Sequence, residues 1–288
     1  MPQPLVPTTS YEPFSEEPEY LAANEAFVAA LPLHGRARVL DLACGAGILS
    51  EMMFRLHPAL RIVQLDLSRE SLQLTADRLA TGALEPRSIG LVEASADVLP
   101  LASAAVDGVV MGNAIHILPD PDALLAEIGR VIRGRGLFAF NTSFYAGTYP
   151  PGTEKLYHHW LIEALRYAAA RSKANPADAR LRRVKDAGRR RPSPWPTKDE
   201  WLRRLERHGF AIHGVQERTV IMTPRSLQAV GAYSGLASVL LSGYPVELAC
   251  EALMAAAAPA FAAAGFESVP RLWLEIAAIK GGTVHADR

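Results

Sequence analysis

Val39-Leu40-Asp41-Leu42-Ala43-Cys44-Gly45-Ala46-Gly47 joins an apolar run ending in an acid to a glycine-bearing turn, and the residues from Ile48 onward read as a helix. Glycine lets the backbone turn sharply and approach a ligand closely. The N–H groups at the start of the following helix have no intrahelical partner, and they favour an anionic ligand group. Strand, glycine turn and helix in that order predict a nucleotide-cofactor site, with Asp41 beside it.

Two classes of nucleotide compete for that site. A dinucleotide fingerprint asks for Gly-x-Gly-x-x-Gly, whereas here Ser50 stands at the third glycine of Gly45-Ala46-Gly47-Ile48-Leu49-Ser50. Asp41 offers a carboxylate to a positively charged ammonium group, which S-adenosylmethionine carries and a nicotinamide dinucleotide lacks at that point. The stretch resembles the first motif of the class I S-adenosylmethionine-dependent methyltransferases, an acid followed by a glycine-rich turn. Ala43 stands where the family often has glycine, so an alanine-compatible backbone angle is expected there.

The resemblance extends along the chain. Ile62-Val63-Gln64-Leu65-Asp66 is a short β-branched and apolar run closed by a carboxylate, followed by Leu67 and by Ser68 as a helix cap. An acid at the tip of the second strand is placed to accept both ribose hydroxyls. Glu93-Ala94-Ser95-Ala96-Asp97-Val98-Leu99-Pro100-Leu101 is similar to the family's adenine loop. Ser95 occupies the position of the usual adenine-binding Asp, the backbone N–H of Ala96 is available to a ring nitrogen, and Asp97 is an alternative acceptor. Val106 to His116 resembles the fourth family strand, whose end lies beside the transferred methyl group. The cofactor residues implied are therefore Asp41, Ala43, Gly45, Gly47, Asp66, Leu67, Ser95, Ala96, Asp97 and Asn113.

His116, three residues beyond Asn113, is the candidate general base and also faces the substrate in this reading, because imidazole titrates in the working range. The alternative is a histidine that only packs. Exocyclic-amine methylation of nucleic acids typically uses Asn or Asp followed by two prolines and an aromatic residue. Here the strand end is Asn113-Ala114-Ile115-His116, which points to a small-molecule acceptor. No metal cluster is expected.

Composition sets wider bounds. The 288 residues are 49% hydrophobic with a formal net charge of zero, which argues for a globular protein and against broad attraction to nucleic acid or an anionic membrane. Cys44 and Cys250 imply neither a disulfide framework nor a metal site, and Cys44 reads as a small side chain in a crowded turn. Met1 to Pro7 lacks the basic start and apolar core of a signal peptide. Ala252 to Phe266 is apolar but shorter than a membrane span and interrupted by Pro259. A cytoplasmic enzyme is expected.

The resemblance implies a Rossmann-like α/β fold: a seven-stranded, mostly parallel sheet with helices on both faces and a helical lid after the fifth strand. Residues 1–35 are read as an N-terminal cover, 36–143 as the cofactor-binding core, 144–196 as the lid, and 197–288 as completion of the sheet with a helical insertion at about 224–266. Ser15 is expected to cap a first helix, Asp120 and Pro121 to start another that Gly134 and Gly136 stop, and Leu137 to Phe140 to form the fifth strand. Leu156 to Arg171 is read as a helix, Thr197 as a cap, Phe210 to Ile212 as the start of the sixth strand, and Leu272 to Ile279 as the last strand.

Tyr11, Tyr20, Tyr145, Tyr149, His158 and His159 join His116 as substrate candidates, and at most one of the adjacent His158 and His159 reaches the site. A lid rich in aromatic and aliphatic groups suits a lipophilic small molecule. The basic run Arg180 to Arg191 reads as a solvated face, or as a dock for an acidic carrier protein or a phosphorylated substrate. A homodimer is left open. The expected function is S-adenosylmethionine-dependent O-methylation of a lipophilic metabolite. The alternatives are a fold-retaining cyclase or partner subunit and, disfavoured by Asp41, a nicotinamide oxidoreductase.

Overall fold

The computed structural model describes residues 12–81, 88–174 and 195–281. Tyr11 and the basic run lie outside the described residues. In chain order the first elements are α1 (Glu12–Ser15), α2 (Pro18–Ala30), β1 (Arg38–Leu42), α3 (Ile48–Leu56), β2 (Arg61–Asp66), α4 (Arg69–Thr81), β3 (Ser88–Glu93) and β4 (Val106–Gly112). A single 3-10 turn, Ile115–Ile117, leads to α5 (Pro121–Val131), β5 (Ile132–Thr142) and α6 (Glu154–Ala174). The remainder is α7 (Lys198–Arg207), β6 (Phe210–Met222), α8 (Pro224–Gly231), α9 (Ser234–Leu240), α10 (Val246–Ala264) and β7 (Val269–Lys280).

The strands form one seven-stranded sheet in the order β3-β2-β1-β4-β5-β7-β6. Strands β1 to β5 pair in parallel, and β7 runs antiparallel to β5. Val39, Leu40 and Leu42 of β1 are fully buried, as are Val109, Val110 and Met111 of β4. Such continuous apolar runs are what a strand covered on both faces requires. The strand order reverses between β1 and β4, and in open α/β sheets the ligand crevice lies outside the carboxyl ends of the strands at that reversal.

The chain divides into two compact units. The sheet unit holds residues 21–148, 195–218 and from 272 onward, within the described residues. Its core packs Leu124, Leu125, Ile128 and Val131 of α5, and Trp201 and Leu205 of α7, against Val109, Met111, Phe138 and Phe140 of the sheet. Asp120 caps α5, accepting from the N–H groups of Asp122 and Ala123 at 3.0 Å, with Pro121 in the first turn. Thr197 and Glu200 form a reciprocal capping box on α7.

Three local expectations are corrected. Gly134 and Gly136 do not stop α5. The helix ends at Val131 because Ile132, already extended, pairs with Val106, and the glycines lie inside β5 where its register with β4 shifts. Ser15 is the last residue of α1 and not a cap, since Pro18 opens α2. Ala43 does not take an ordinary alanine angle: its φ is 56°, in the left-handed region.

The helical unit holds residues 12–20, 149–174 and 219–271 of the described chain. Here α10 packs on α6 and α8. Ala164 and Ala168 of α6, and Ala249, Ala252, Ala256 and Ala260 of α10, are buried, and small side chains let helix backbones approach closely. Trp160 Nε1 donates to the Leu253 carbonyl at 2.7 Å, which fixes α6 on α10. The two stretches read as separate departures from the minimal sheet thus place α6 and α8 to α10 in one unit. By length and composition α10 could cross a membrane, and half of the qualifying window is buried inside the protein.

Candidate active site

The turn after β1 is held by backbone and by α4. Cys44 N–H donates to the Leu65 carbonyl at 3.1 Å, tying the turn to β2. Gly45 and Gly47 have φ of 54° and 78°. A Cβ on Gly47 would sit 2.9 Å from Thr75 Cγ2, so that position needs glycine for both angle and space. Thr75 Oγ1 donates to the Gly45 carbonyl at 2.7 Å, and Arg78 Nε donates to the Ala46 carbonyl at 2.8 Å. Gly47→Ala is expected to lower the unfolding free energy by about 2 kcal/mol, read by chemical denaturation.

Two carboxylates flank this turn. Asp41 is buried, and Ser50 Oγ donates to its Oδ2 at 2.6 Å. Burial pushes Asp41 up to about 7, with Asp66 adding to the rise and Ser50 opposing it. Asp66 Oδ2 accepts from Gly45 N–H at 2.9 Å, and Oδ1 accepts from Ser68 N–H at 2.8 Å. Each oxygen has a second lone pair for a ligand hydroxyl. Ser68 Oγ accepts from Ser71 N–H at 3.1 Å, the expected cap. Cys44 is buried and its thiol is pushed up, first by burial and then by Asp41 and Asp66, so it fills space and is no nucleophile.

The loop after β3 lies beside Asp66, since Ala94 N–H donates to the Asp66 carbonyl at 3.0 Å. Ser95 is turned to its neighbour: its Oγ donates to Asp97 Oδ2 at 3.1 Å and accepts from Asp97 N–H at 3.3 Å. Ser95 thereby positions Asp97, whose Oδ1 is buried with no hydrogen-bond partner among the described residues. Glu127 and Arg130 of α5 fasten this loop. Glu127 Oε2 accepts from Leu99 N–H, and Arg130 donates to the carbonyls of Leu99 and Leu101. Leu67 and Val98 are 72% and 73% exposed, and they present apolar surface after β2 and on this loop.

At the end of β4, Asn113 has φ 46°. Its N–H donates to Asn141 Oδ1 at 2.9 Å, and its Oδ1 accepts from Ser143 N–H at 2.8 Å. Asn141 Nδ2 in turn donates to Asn24 Oδ1 at 2.9 Å, in a fully buried chain of amides. The Asn113 side-chain oxygen therefore shapes the loop instead of reaching for a ligand. His116 stacks on Phe144 at 4.1 Å, and its Nδ1 lies 3.2 Å from Thr142 Oγ1. It is half-buried on the turn that follows Asn113.

Asp41, Gly45, Gly47, Asp66 and the Ala94 to Asp97 loop are thus brought together, while two substrate assignments are corrected. Tyr20 is buried with its ring edge-on to Phe14 at 5.2 Å, which is packing. Tyr145 is buried in the sheet core and donates to Glu217 Oε1 at 2.7 Å, because the loop after β5 turns its side chain back onto the sheet. Tyr149 packs its ring against Tyr157 in the helical unit, with centroids 4.1 Å apart and planes tilted by 37°. His158 is exposed and His159 half-buried on α6. No group of three metal-ligating side chains occurs among the described residues. The sequence did not reveal Thr75, Arg78, Asn24, Asn141, Glu127 and Arg130, because each acts across a long sequence separation.

Residues 40–140 match the family model described as a methyltransferase domain. This stretch of the chain carries a methyltransferase domain. The methyltransferase domain is 38% identical over 113 residues to a malonyl-[acyl-carrier protein] O-methyltransferase of Laribacter hongkongensis, covering 38% of this chain and 38% of that one. It is 34% identical over 113 residues to an uncharacterised chloroplastic methyltransferase of Arabidopsis thaliana, covering 38% of this chain and 32% of the relative. These matches span well under half the length of either relative. In architecture the protein is similar to the [4+2]-cyclase SpnF, with a TM-score of 0.56 at 16% identity over 92% of this chain and 82% of that one.

The methyltransferase domain's residues fit its family's cofactor. Asp41 is a buried carboxylate with no cation beside it among the described residues, which suits an ammonium group. Asp97 Oδ1 is a buried acceptor with no donor among the described residues, which suits an adenine amino group. Asp66→Ala is expected to weaken binding of S-adenosylmethionine about thirtyfold by calorimetry, through loss of charge-assisted hydrogen bonds to the ribose.

Proposed function

We propose that the protein transfers a methyl group from S-adenosylmethionine to an oxygen of a lipophilic small molecule. The observation that carries this reading is the constellation at the carboxyl ends of β1, β2 and β3: a buried Asp41 with no cation beside it and an Asp97 oxygen with no donor, both among the described residues, and Asp66 set in the glycine turn. In this reading Asp41 receives the ammonium group, Asp66 both ribose hydroxyls and Asp97 the adenine amino group, while Leu67 and Val98 offer apolar surface to the ring. The bound cofactor supplies a sulfonium-activated methyl group as electrophile.

The chain's own contribution is then alignment, exclusion of water and removal of the acceptor's proton. His116 is the proposed base. Thr142 Oγ1 accepts from Phe144 N–H at 3.0 Å and has a second lone pair. With His116 Nδ1–H donated to that lone pair, Nε2 is the basic atom, and the stack on Phe144 holds the ring plane. The neutral charge and the Asn113-Ala114-Ile115-His116 strand end support a small-molecule acceptor, and likeness to the Laribacter O-methyltransferase supports oxygen as the methylated atom.

The test joins calorimetry with mass spectrometry. Micromolar binding of S-adenosylmethionine and its demethylated product, with none of NADH, and a gain of one CH2 in a screened phenol or carboxylic acid, is the expected result. Cofactor binding with no methyl gain in any acceptor class would favour a non-methylating role such as a cyclase. Methyl gain confined to a polar amino acid or RNA would overturn the lipophilic acceptor.

A further inference from the structure

Helix α2 buries Ala23, Phe27 and Val28, and with them Asn24, a polar side chain with no exposed surface. A buried amide is costly in such apolar company unless its groups are hydrogen-bonded. The Asn24 Oδ1 accepts from Asn141 Nδ2 at 2.9 Å, across 117 residues of sequence. Asn141, near the end of β5, is equally buried, and its own Oδ1 accepts from Asn113 N–H at 2.9 Å. A backbone N–H can only donate, so Asn113 requires the oxygen end of the Asn141 amide. Asn24 holds that orientation by accepting from the other end.

The chain of bonds ends at the proposed base. Asn113 has φ 46°, a left-handed angle that is costly for a residue with a side chain and persists only where its surroundings dictate it. Both ends of Asn113 are held: its N–H by Asn141, and its Oδ1 by Ser143, whose N–H and Oγ donate to it at 2.8 and 3.0 Å. Ser143 lies between Thr142 and Phe144, which hold the His116 ring through Nδ1 and by stacking. Asn113 thus sets two things at once: the bend from which the His116 turn leaves β4, and the strand end that carries the supports of the ring.

We propose that Asn24 is a positioning residue for the His116 imidazole, acting from α2 through Asn141 and Asn113. The inference rests on the reading of His116 as the base. Apolar burial is non-directional and suffices to pack a helix, whereas hydrogen bonds set one geometry. A base must be held within about 0.5 Å of its productive place, by neighbours that are themselves locked. Without the Asn24 acceptor the Asn141 amide is free to turn, Asn113 N–H loses its side-chain partner and the bend relaxes. The ring then shifts although nothing touching it has changed.

The experiment compares Asn24→Leu, which fills similar space without an acceptor, with Asn24→Asp, which restores an acceptor oxygen. In the full chain, Asn24→Leu should speed hydrogen exchange of Asn113 N–H about tenfold or more and shift the His116 imidazole signals in NMR spectra. It should also lower kcat about tenfold or more while S-adenosylmethionine still binds, because the Asp41 and Asp66 turn stays intact. Asn24→Asp should rescue Asn113 protection, the His116 signals and most of the turnover, whatever its melting temperature. Asn24→Ala removes the same acceptor and takes the place of Asn24→Leu if that variant does not fold. Absence of methyl transfer to every acceptor would count against the proposed activity, and the exchange and imidazole readouts would still judge Asn24. Unchanged Asn113 exchange and His116 signals without the acceptor would overturn the proposal. So would turnover that falls equally in Asn24→Asp, in step with melting temperature.

Discussion

Asp41→Asn is expected to make the cofactor-free protein more stable at alkaline pH while weakening S-adenosylmethionine binding by more than a hundredfold. Burial holds the folded Asp41 at about 7, against an ordinary value of 3.8. Between those values the folded protein keeps a proton that the unfolded chain has released, so stability falls as pH rises through the interval and levels off above 7. At roughly 1.4 kcal/mol for each pH unit of that interval, the full penalty approaches about 4 kcal/mol. Asn carries no charge to desolvate, and its oxygen can still accept from Ser50. Thermal melts at pH 8 and pH 4 check the sign, with the variant ahead of the parent at pH 8 and the gap closing toward pH 4.

The same substitution removes the proposed partner of the ammonium group, and breaking a buried charge pair costs about 3–5 kcal/mol. Calorimetry of the variant reads that loss. A second readout uses the parent: below pH 7, binding a cation beside Asp41 should expel its proton, so the apparent binding enthalpy should depend on the buffer's ionisation enthalpy. Equal stability at pH 8 together with unchanged affinity would remove Asp41 from the site. The stability gain paired with the binding loss is the trade-off expected of a residue kept for function.

His116→Ala is expected to lower kcat about a hundredfold or more, the range in which a positioned general base contributes. Affinity for S-adenosylmethionine should stay at the parent value, because Thr142 and Phe144, which hold the His116 ring, are not among the residues proposed to hold the cofactor. Steady-state rates with an accepted substrate, compared with calorimetry of the same variant, separate the two effects. Partial rescue of turnover by added imidazole would identify the lost function as proton removal. Turnover equal to the parent would leave His116 as a packing histidine and pass the deprotonation to the acceptor itself.

Much of the proposed cofactor constellation is legible in the sequence because its members are close together and ordered by the chain. The acid-turn-helix run around Gly45, the carboxylate closing β2 and the cap at Ser68 are local patterns, and local patterns survive in a linear text. The Ala43 conformation is not legible in the sequence because a left-handed angle at a non-glycine residue leaves no local signal. Its angle is imposed by a turn whose N–H and carbonyl groups are tied to Leu65, Thr75, Arg78 and Asp66. Tyr20 and Tyr145 pass for substrate contacts in the sequence because aromatic residues near a site look alike there, whether they face a ligand or a core. Partners decided the matter: Phe14 for one, Glu217 and the sheet core for the other.

By itself the sequence determined the α/β class and put Asp41 and Asp66 at strand ends, since apolar runs, glycine turns and strand-end acids are set by short-range sterics and burial, while the cofactor came from resemblance to a family. Only the tertiary structure decided which residues support them. Ser95 became the residue that orients Asp97, Asn113 became one link in an amide chain running to Asn24, and Arg271 was turned inward beside two tyrosines. In each case the cause is a hydrogen bond, a pleat or a buried charge whose members the fold brings together. Such couplings have no period in the sequence, and they exist only once the strands have found their order.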